Sequence, residues 1–204
     1  MNLISKLKTL LHVGCASLNI SHIKGFIIDD WTEIRFDIDE SRNPDIVGTL
    51  TDMSLVQTKS VDAIYSAYNI DHIYPHEVPT ALSEFFRVLK DDGMGIIKCP
   101  DIQSVCEAVA KGKLLEPFYN SPVGPISPID ILFGNRQQIM KGNEYMAKKV
   151  GFTYSVLNKT FAEAGFQARY GGRMPSNGGE LAIVAFKQKK SEEQIKQIAD
   201  PLIF

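Results

Sequence analysis

The chain has 204 residues, 44% hydrophobic and 23% charged, with 22 Lys+Arg against 24 Asp+Glu for a formal net charge of −2. That is the composition of one globular domain with its own core, and the lack of a basic excess argues against a nucleic-acid partner. No stretch approaches the ~18 apolar residues that cross a bilayer, and Cys15, Cys99 and Cys106 have neither even number nor metal-ligand spacing. The reading is a soluble, cytoplasmic protein with no membrane partner, no disulfide framework and no zinc site.

From the N-terminus, two lysines precede a short apolar run that leads into Gly14 and Cys15 without a signal-cleavage pattern. Thr9 to Val13 therefore reads as a first buried strand, Ile34 to Ile38 as a second, Asp45 to Leu50 as a short third and Val61 to Ser66 as a fourth. Val78, Leu82, Phe85, Phe86 and Leu89 recur at helical spacing, giving an amphipathic helix that should stop before Asp91-Asp92-Gly93, with Met94 to Lys98 as strand five. Asp101 can cap a helix carrying Ile102, Val105, Cys106 and Val109, and Thr153 one carrying Val156, Leu157 and Phe161 and closing at Gly165. Phe166 to Tyr170 and Leu181 to Phe186, joined by a turn-rich stretch from Arg173 to Gly179, should form an antiparallel hairpin. The tail from Ser191 is left open between a docked and a frayed end.

This alternation is the sign of a mostly parallel α/β sheet with helices on both faces, in a single domain over residues 1–204. Residues 113–151 break the rhythm. Prolines at 117, 122, 125 and 128 forbid regular structure there, yet Phe118, Tyr119, Ile126, Ile129, Leu132 and Phe133 are too apolar for a solvated linker. An irregular, apolar insertion of this kind is expected to be a lid or binding loop.

Four stretches carry possible chemistry. Gly14 gives the sharp turn, free of a side chain, that a nucleotide-like cofactor needs over the carboxyl end of strand one. Asp37 lies 23 residues on, near the ~20 expected of an acid that accepts from a ribose hydroxyl pair, with Asp39 as its substitute. In Thr51-Asp52-Met53-Ser54, Asp52 can accept from an adenine amine while Met53 packs on the ring and donates its N–H. The segment from Ser60 to His72 runs out of strand four into polar and aromatic residues, where a substrate-facing group belongs. His72 and His76 are spaced like metal ligands, but Pro75 intervenes and no third ligand is evident.

The order of these motifs, closed by Glu84-Phe85-Phe86-Arg87-Val88-Leu89-Lys90-Asp91-Asp92-Gly93-Met94-Gly95, resembles the class I (Rossmann-like) S-adenosylmethionine-dependent methyltransferases, those of type 11 in particular. The resemblance covers nearly the whole chain. It implies a doubly wound, mostly parallel seven-stranded sheet with a C-terminal antiparallel hairpin, S-adenosylmethionine as cofactor and S-adenosylhomocysteine as product. It further implies that Gly14 and Cys15 line the methionine side, Asp37 holds the ribose, Asp52 and Met53 the adenine, and that Ser66 and Ala67 border the sulfonium. His72, Tyr68 and Asp71, in that order, are the candidates for a general base acting on a small-molecule or sugar-like acceptor.

Two departures qualify this. Ala16 and Ser17 stand where the family has further glycines, and His12 stands where it has an acid. The chain starts almost at strand one, so the 113–151 lid is expected to enclose the substrate, with Asn120, Asn135, Arg136, Asn143 and Tyr145 facing it. A degenerate, non-catalytic binding or regulatory module stays open as the alternative, as does a homodimer. A nicotinamide enzyme is disfavoured, because the second and third glycines of a dinucleotide turn are missing.

Overall fold

The computed structural model describes residues 7–121, 124–174 and 179–204. Met1 to Lys6, Pro122, Val123 and the Pro175-Ser176-Asn177-Gly178 part of the hairpin turn lie outside the described residues. The chain lays down β1 (Lys8–Val13), β2 (Trp31–Asp37), β3 (Ile46–Val47), β4 (Val61–Ala67), α1 (Val78–Val88), β5 (Leu89–Pro100) and α2 (Ile102–Ala110). The insertion of residues 113–151 follows, with β6 (Tyr119–Ser121), β7 (Gly124–Ile126), α3 (Pro128–Phe133) and α4 (Arg136–Met140). Last come α5 (Tyr154–Glu163), β8 (Ala168–Met174), β9 (Glu180–Phe186) and α6 (Glu192–Ile203).

Seven strands form one sheet in the order β3-β2-β1-β4-β5-β9-β8. The first five pair in parallel, and β9 runs antiparallel between β5 and β8. The parallel crossover direction therefore reverses between β1 and β4, which opens a crevice at their carboxyl ends.

Side chains alternate across each strand, so neighbouring residues go to opposite faces. Leu11, Val13, Ile64, Ile97, Leu181 and Ile183 pack with Leu82 and Phe85 of α1 and Leu157 and Phe161 of α5. Leu10, Ala63, Ile96, Ala182 and Val184 face the other way, onto Ala199, Leu202 and Ile203 of α6 and onto Ile20 and Ile23. The tail is thus a docked helix, opened by a reciprocal Ser191/Gln194 cap. It covers a face that the β1–β2 crossover, built only of 3-10 turns at Ile20–His22 and Ile28–Asp30, does not cover with an α-helix. No helix among the described residues is long and apolar enough to cross a membrane.

Three expectations need correction. β3 is two residues long rather than Asp45 to Leu50, because after Gly48, whose N–H still donates to Asp37 O at 3.0 Å, the chain turns back over Thr49–Asp52, with Asp52 N donating to Thr49 O at 3.2 Å. α1 stops at Val88, and Leu89 already pairs with Val61; Lys90 to Gly93 bulge out before Met94 pairs with Ala63. The lid is not devoid of regular structure. Pro128 sits in the first turn of α3, where its missing N–H costs nothing, behind a Ser127/Asp130 capping box, and Pro125 lies in a two-stranded β6–β7 ribbon opposite Asn120.

Candidate functional site

The crevice begins at the turn after β1. Gly14 has φ +66°, its N–H donates to Phe36 O at 2.8 Å, and Ala16 also takes a left-handed φ, +47°. No α-helix follows the turn, so its carbonyls find other donors. Arg35 of β2 reaches Ala16 O at 2.6 Å, Leu18 O at 3.2 Å and, on the neighbouring loop, Asn43 O at 2.8 Å. Cys15 is fully buried, and that burial raises its thiol pKa.

Asp37, at the end of β2, is 7% exposed, with Oδ2 accepting from Ala16 N at 2.8 Å and Oδ1 from Asp39 N at 2.9 Å. Each oxygen keeps a second lone pair, so the carboxylate is preoriented and still able to accept from a hydroxyl pair. Asp39 faces a 3-10 turn instead. The Ser41 hydroxyl, and then Ser41 N–H and Arg42, hold its pKa below the usual range. Ile38 between them is 44% exposed, an apolar surface beside Asp37 for which the sequence carried no signal beyond position.

Met53 corrects an expectation. Its side chain is fully buried in the core and its N–H donates to Glu84 Oε2 at 2.8 Å, so neither is presented to a ring. Asp52 is exposed and caps its own turn through Ser54 N at 3.0 Å, the contact that chiefly lowers its pKa. The loop is held from α1. Arg87 binds Glu84 in two-pronged fashion, at 2.7 and 2.8 Å, and donates to Met53 O at 2.8 Å and Val56 O at 3.0 Å. The Glu84 and Arg87 of the family-like stretch are thus loop anchors.

Beyond β4 the chain folds over the turn. The Asn69 side chain occupies the space into which a Gly14 Cβ would project, and its Nδ2 donates to Val13 O at 3.0 Å, Ala67 O at 2.8 Å and buried Ser66 Oγ at 3.2 Å. Tyr68, at φ +58°, leaves its ring partly exposed but sinks its hydroxyl against Glu180 of β9, to which it donates. Burial and the Glu180 charge push its phenol pKa well up, so Tyr68 stays protonated and serves Glu180 as a hydrogen-bond donor. Glu180 is itself 4% exposed and lies 3.5 Å from Lys98.

Asp71, His72 and Lys148 form one cluster. His72 Nδ1 meets Ala147 O at 2.9 Å and Nε2 meets Lys148 Nζ at 3.0 Å; burial, then the Lys148 charge, lower its pKa. The ring is therefore neutral, a donor at Nδ1 and an acceptor at Nε2, with both nitrogens engaged. Asp71 is 2% exposed and pairs through Oδ2 with Lys148, while its Oδ1 is buried without a partner. Of the three candidate bases, Asp71 alone keeps an unengaged acceptor atom. Asp71 is among the residues around a cavity of about 250 Å³ walled by Pro100, Ile102, Ile131, Leu132 and Val150, but Oδ1 itself is closed off from that space.

The lid's polar residues lie elsewhere. Asn135 caps α4 and Arg136 binds Asp130 at 2.7 Å, both lining a separate cavity of about 280 Å³, while Asn120 and Tyr145 are exposed and Asn143 Oδ1 is buried without a partner. None of the five lines the Asp71 cavity. Lys148, which does, and Glu180 were missed because their partners stand 77 and 112 residues away in sequence.

Residues 28–97 match the methyltransferase domain family. No curated protein sequence matches the chain. Among solved structures, the citrinin polyketide synthase CMeT domain superposes with a TM-score of 0.58 at 10% identity over 91% of this chain, which spans only 48% of that one. A SAM-dependent methyltransferase from Methanosarcina mazei matches with a TM-score of 0.58 at 14% identity, over 93% of this chain and 96% of the other. The Burkholderia thailandensis 1,6-didemethyltoxoflavin-N1-methyltransferase, with bound 1,6-didemethyltoxoflavin and S-adenosylhomocysteine, gives 0.53 at 13%, over 90% and 72%. At these identities the likeness is one of fold.

Proposed function

We infer that the chain is a class I, Rossmann-like S-adenosylmethionine-dependent methyltransferase that methylates a small-molecule acceptor. The observation that carries this reading is Asp37, a buried carboxylate oriented by two backbone N–H groups at the β1/β4 switch point, beside the Gly14 turn. Its remaining lone pairs suit a ribose hydroxyl pair, and exposed Ile38 with Asp52 offers adenine an apolar face and an acceptor. The Gly14–Ala16 turn and the Asn69 carboxamide border the methionine end. The cofactor supplies the methyl group on a cationic sulfur. The chain's part is to align the acceptor with it and to exclude water.

The non-catalytic alternative rests on one observation, that the Asn69 carboxamide already occupies the space over Gly14. Calorimetric titration separates the two readings. Micromolar binding of S-adenosylmethionine and S-adenosylhomocysteine, with none of NAD, is expected of the methyltransferase. Binding of none of the three would leave the chain as a non-catalytic module.

A further inference from the structure

We propose that Arg35 is a positioning residue for the cofactor: it clamps the two loops on either side of Asp37 so that their N–H groups orient that carboxylate. The effect on cofactor affinity rests on the methyltransferase reading above; the clamp itself rests on the contacts of Arg35 alone.

Side chains two apart on a strand share a face, so Arg35 and Asp37 of β2 point to the same side. Asp37 accepts one N–H from each of two loops, Ala16 N at 2.8 Å from the turn after β1 and Asp39 N at 2.9 Å from the loop after β2. Arg35 grips the same two loops through their carbonyls. Its Nη2 donates to Ala16 O at 2.6 Å and Arg42 O at 3.2 Å, Nε to Leu18 O at 3.2 Å and Nη1 to Asn43 O at 2.8 Å. Ala16 is therefore pinned on both sides, by Asp37 at its N–H and by Arg35 at its C=O.

Both loops need such a clamp. Ala16 has φ +47° and Asn43 φ +50°, left-handed conformations that cost a residue with a side chain free energy and persist only where the surroundings hold them. Arg35 donates to the carbonyl of each. An α-helix after β1 would take the turn's carbonyls into its own ladder, but the crossover has only 3-10 turns, so those oxygens need donors from outside. The four bonds of Arg35 all end on neutral main-chain oxygens, which makes the side chain a clamp rather than half of an ion pair. Reaching them together takes a planar fork with several N–H groups, and a lysine ammonium at the end of its stem does not have that shape.

The test uses the full chain and reads two quantities, S-adenosylhomocysteine affinity by calorimetry and hydrogen exchange of the Ala16 amide by NMR in the free protein. Arg35→Met keeps the aliphatic stem and removes every donor. Arg35→Lys keeps the charge without the fork, and carries the test should Arg35→Met fail to fold. Each is expected to weaken S-adenosylhomocysteine binding and to speed Ala16 exchange at least about tenfold. In an Ala16→Gly background, where the left-handed turn is free of strain, the same substitutions should weaken binding less than about threefold. A general loss of support for β2 would cost the same in both backgrounds. Equal losses there, unchanged affinity, or unchanged Ala16 exchange would each overturn the proposal. If the unsubstituted chain binds no S-adenosylhomocysteine, the methyltransferase reading falls and the cofactor role of Arg35 with it, while Ala16 exchange still decides the clamp.

Discussion

The two sides of the β1/β4 switch point are built differently. On the β1–β2 side, three connections lack the α-helices that cover parallel strands, and polar side chains hold the loops instead: Asp37 by accepting from Ala16 and Asp39, Arg35 by donating to Ala16 and Leu18, Glu84 and Arg87 by gripping residues 53–56. Nearly every polar group there is spoken for within the chain. On the β4–β5 side a buried cluster, Asp71 with Lys148 and His72, ties the end of residues 113–151 to the chain after β4, and one carboxylate oxygen is buried without a donor. The first side is held by many separate contacts and the second leans on a buried charge pair, so a single substitution should disturb the second more.

The sharpest break in this contrast is Lys148→Met. The Lys148 side chain is 10% exposed and the Asp71 side chain 3%, so the change strands a buried carboxylate and should cost about 3–5 kcal/mol in denaturant unfolding. A loss under about 1 kcal/mol would mean that the pair does not tie these segments together. On the other side, Arg87→Ala removes the partner of a mostly buried Glu84 and two donors to loop carbonyls. It should cost about 2–3 kcal/mol and weaken S-adenosylhomocysteine binding as well, since the loop next to Asp52 loosens. Stability lost with unchanged affinity would separate that loop from the cofactor.

Asp37 sharpens the picture further. Because it holds two backbone N–H groups, Asp37→Ala would disturb the turn as well as the proposed ribose contact, so Asp37→Asn is the cleaner variant. It should lower S-adenosylhomocysteine affinity at least about tenfold, or about 1.4 kcal/mol, and unchanged affinity would remove the ribose assignment. The smallest effect concerns pH. His72 and His12 both have pKa values lowered chiefly by burial, so the unfolded chain binds the extra protons. Their stabilisation is complete above about pH 6.5 and declines as pH falls below it, each by less than about 1.4 kcal/mol per pH unit. His72→Gln should flatten the fall in stability between pH 7 and 5, measured by urea midpoints; an unchanged slope would show that His72 is not held neutral.

Much of this was legible in the chain. The apolar runs of Thr9 to Val13 and Val61 to Ser66 and the helical spacing from Val78 to Phe86 placed strands and helix because burial on a regular element leaves a local trace, although the helix was drawn one residue too long at Leu89. Gly14 and Asp37 were legible for the same reason, since each sits where a strand ends. The roles of Met53 and Glu84 were not. Which way Met53 faces, and which acceptor takes its N–H, depends on α1 arriving 31 residues later in sequence.

By itself, then, the sequence determined the α/β alternation, the terminal hairpin and the position of the turn and its acid, all consequences of local periodicity and backbone freedom. Only the tertiary structure decided that the tail covers the second sheet face, that Arg87 anchors the loop after β3, and that Lys148 meets Asp71. Those outcomes turn on burying charge and closing hydrogen bonds between residues far apart in the chain, for which local sequence holds no record.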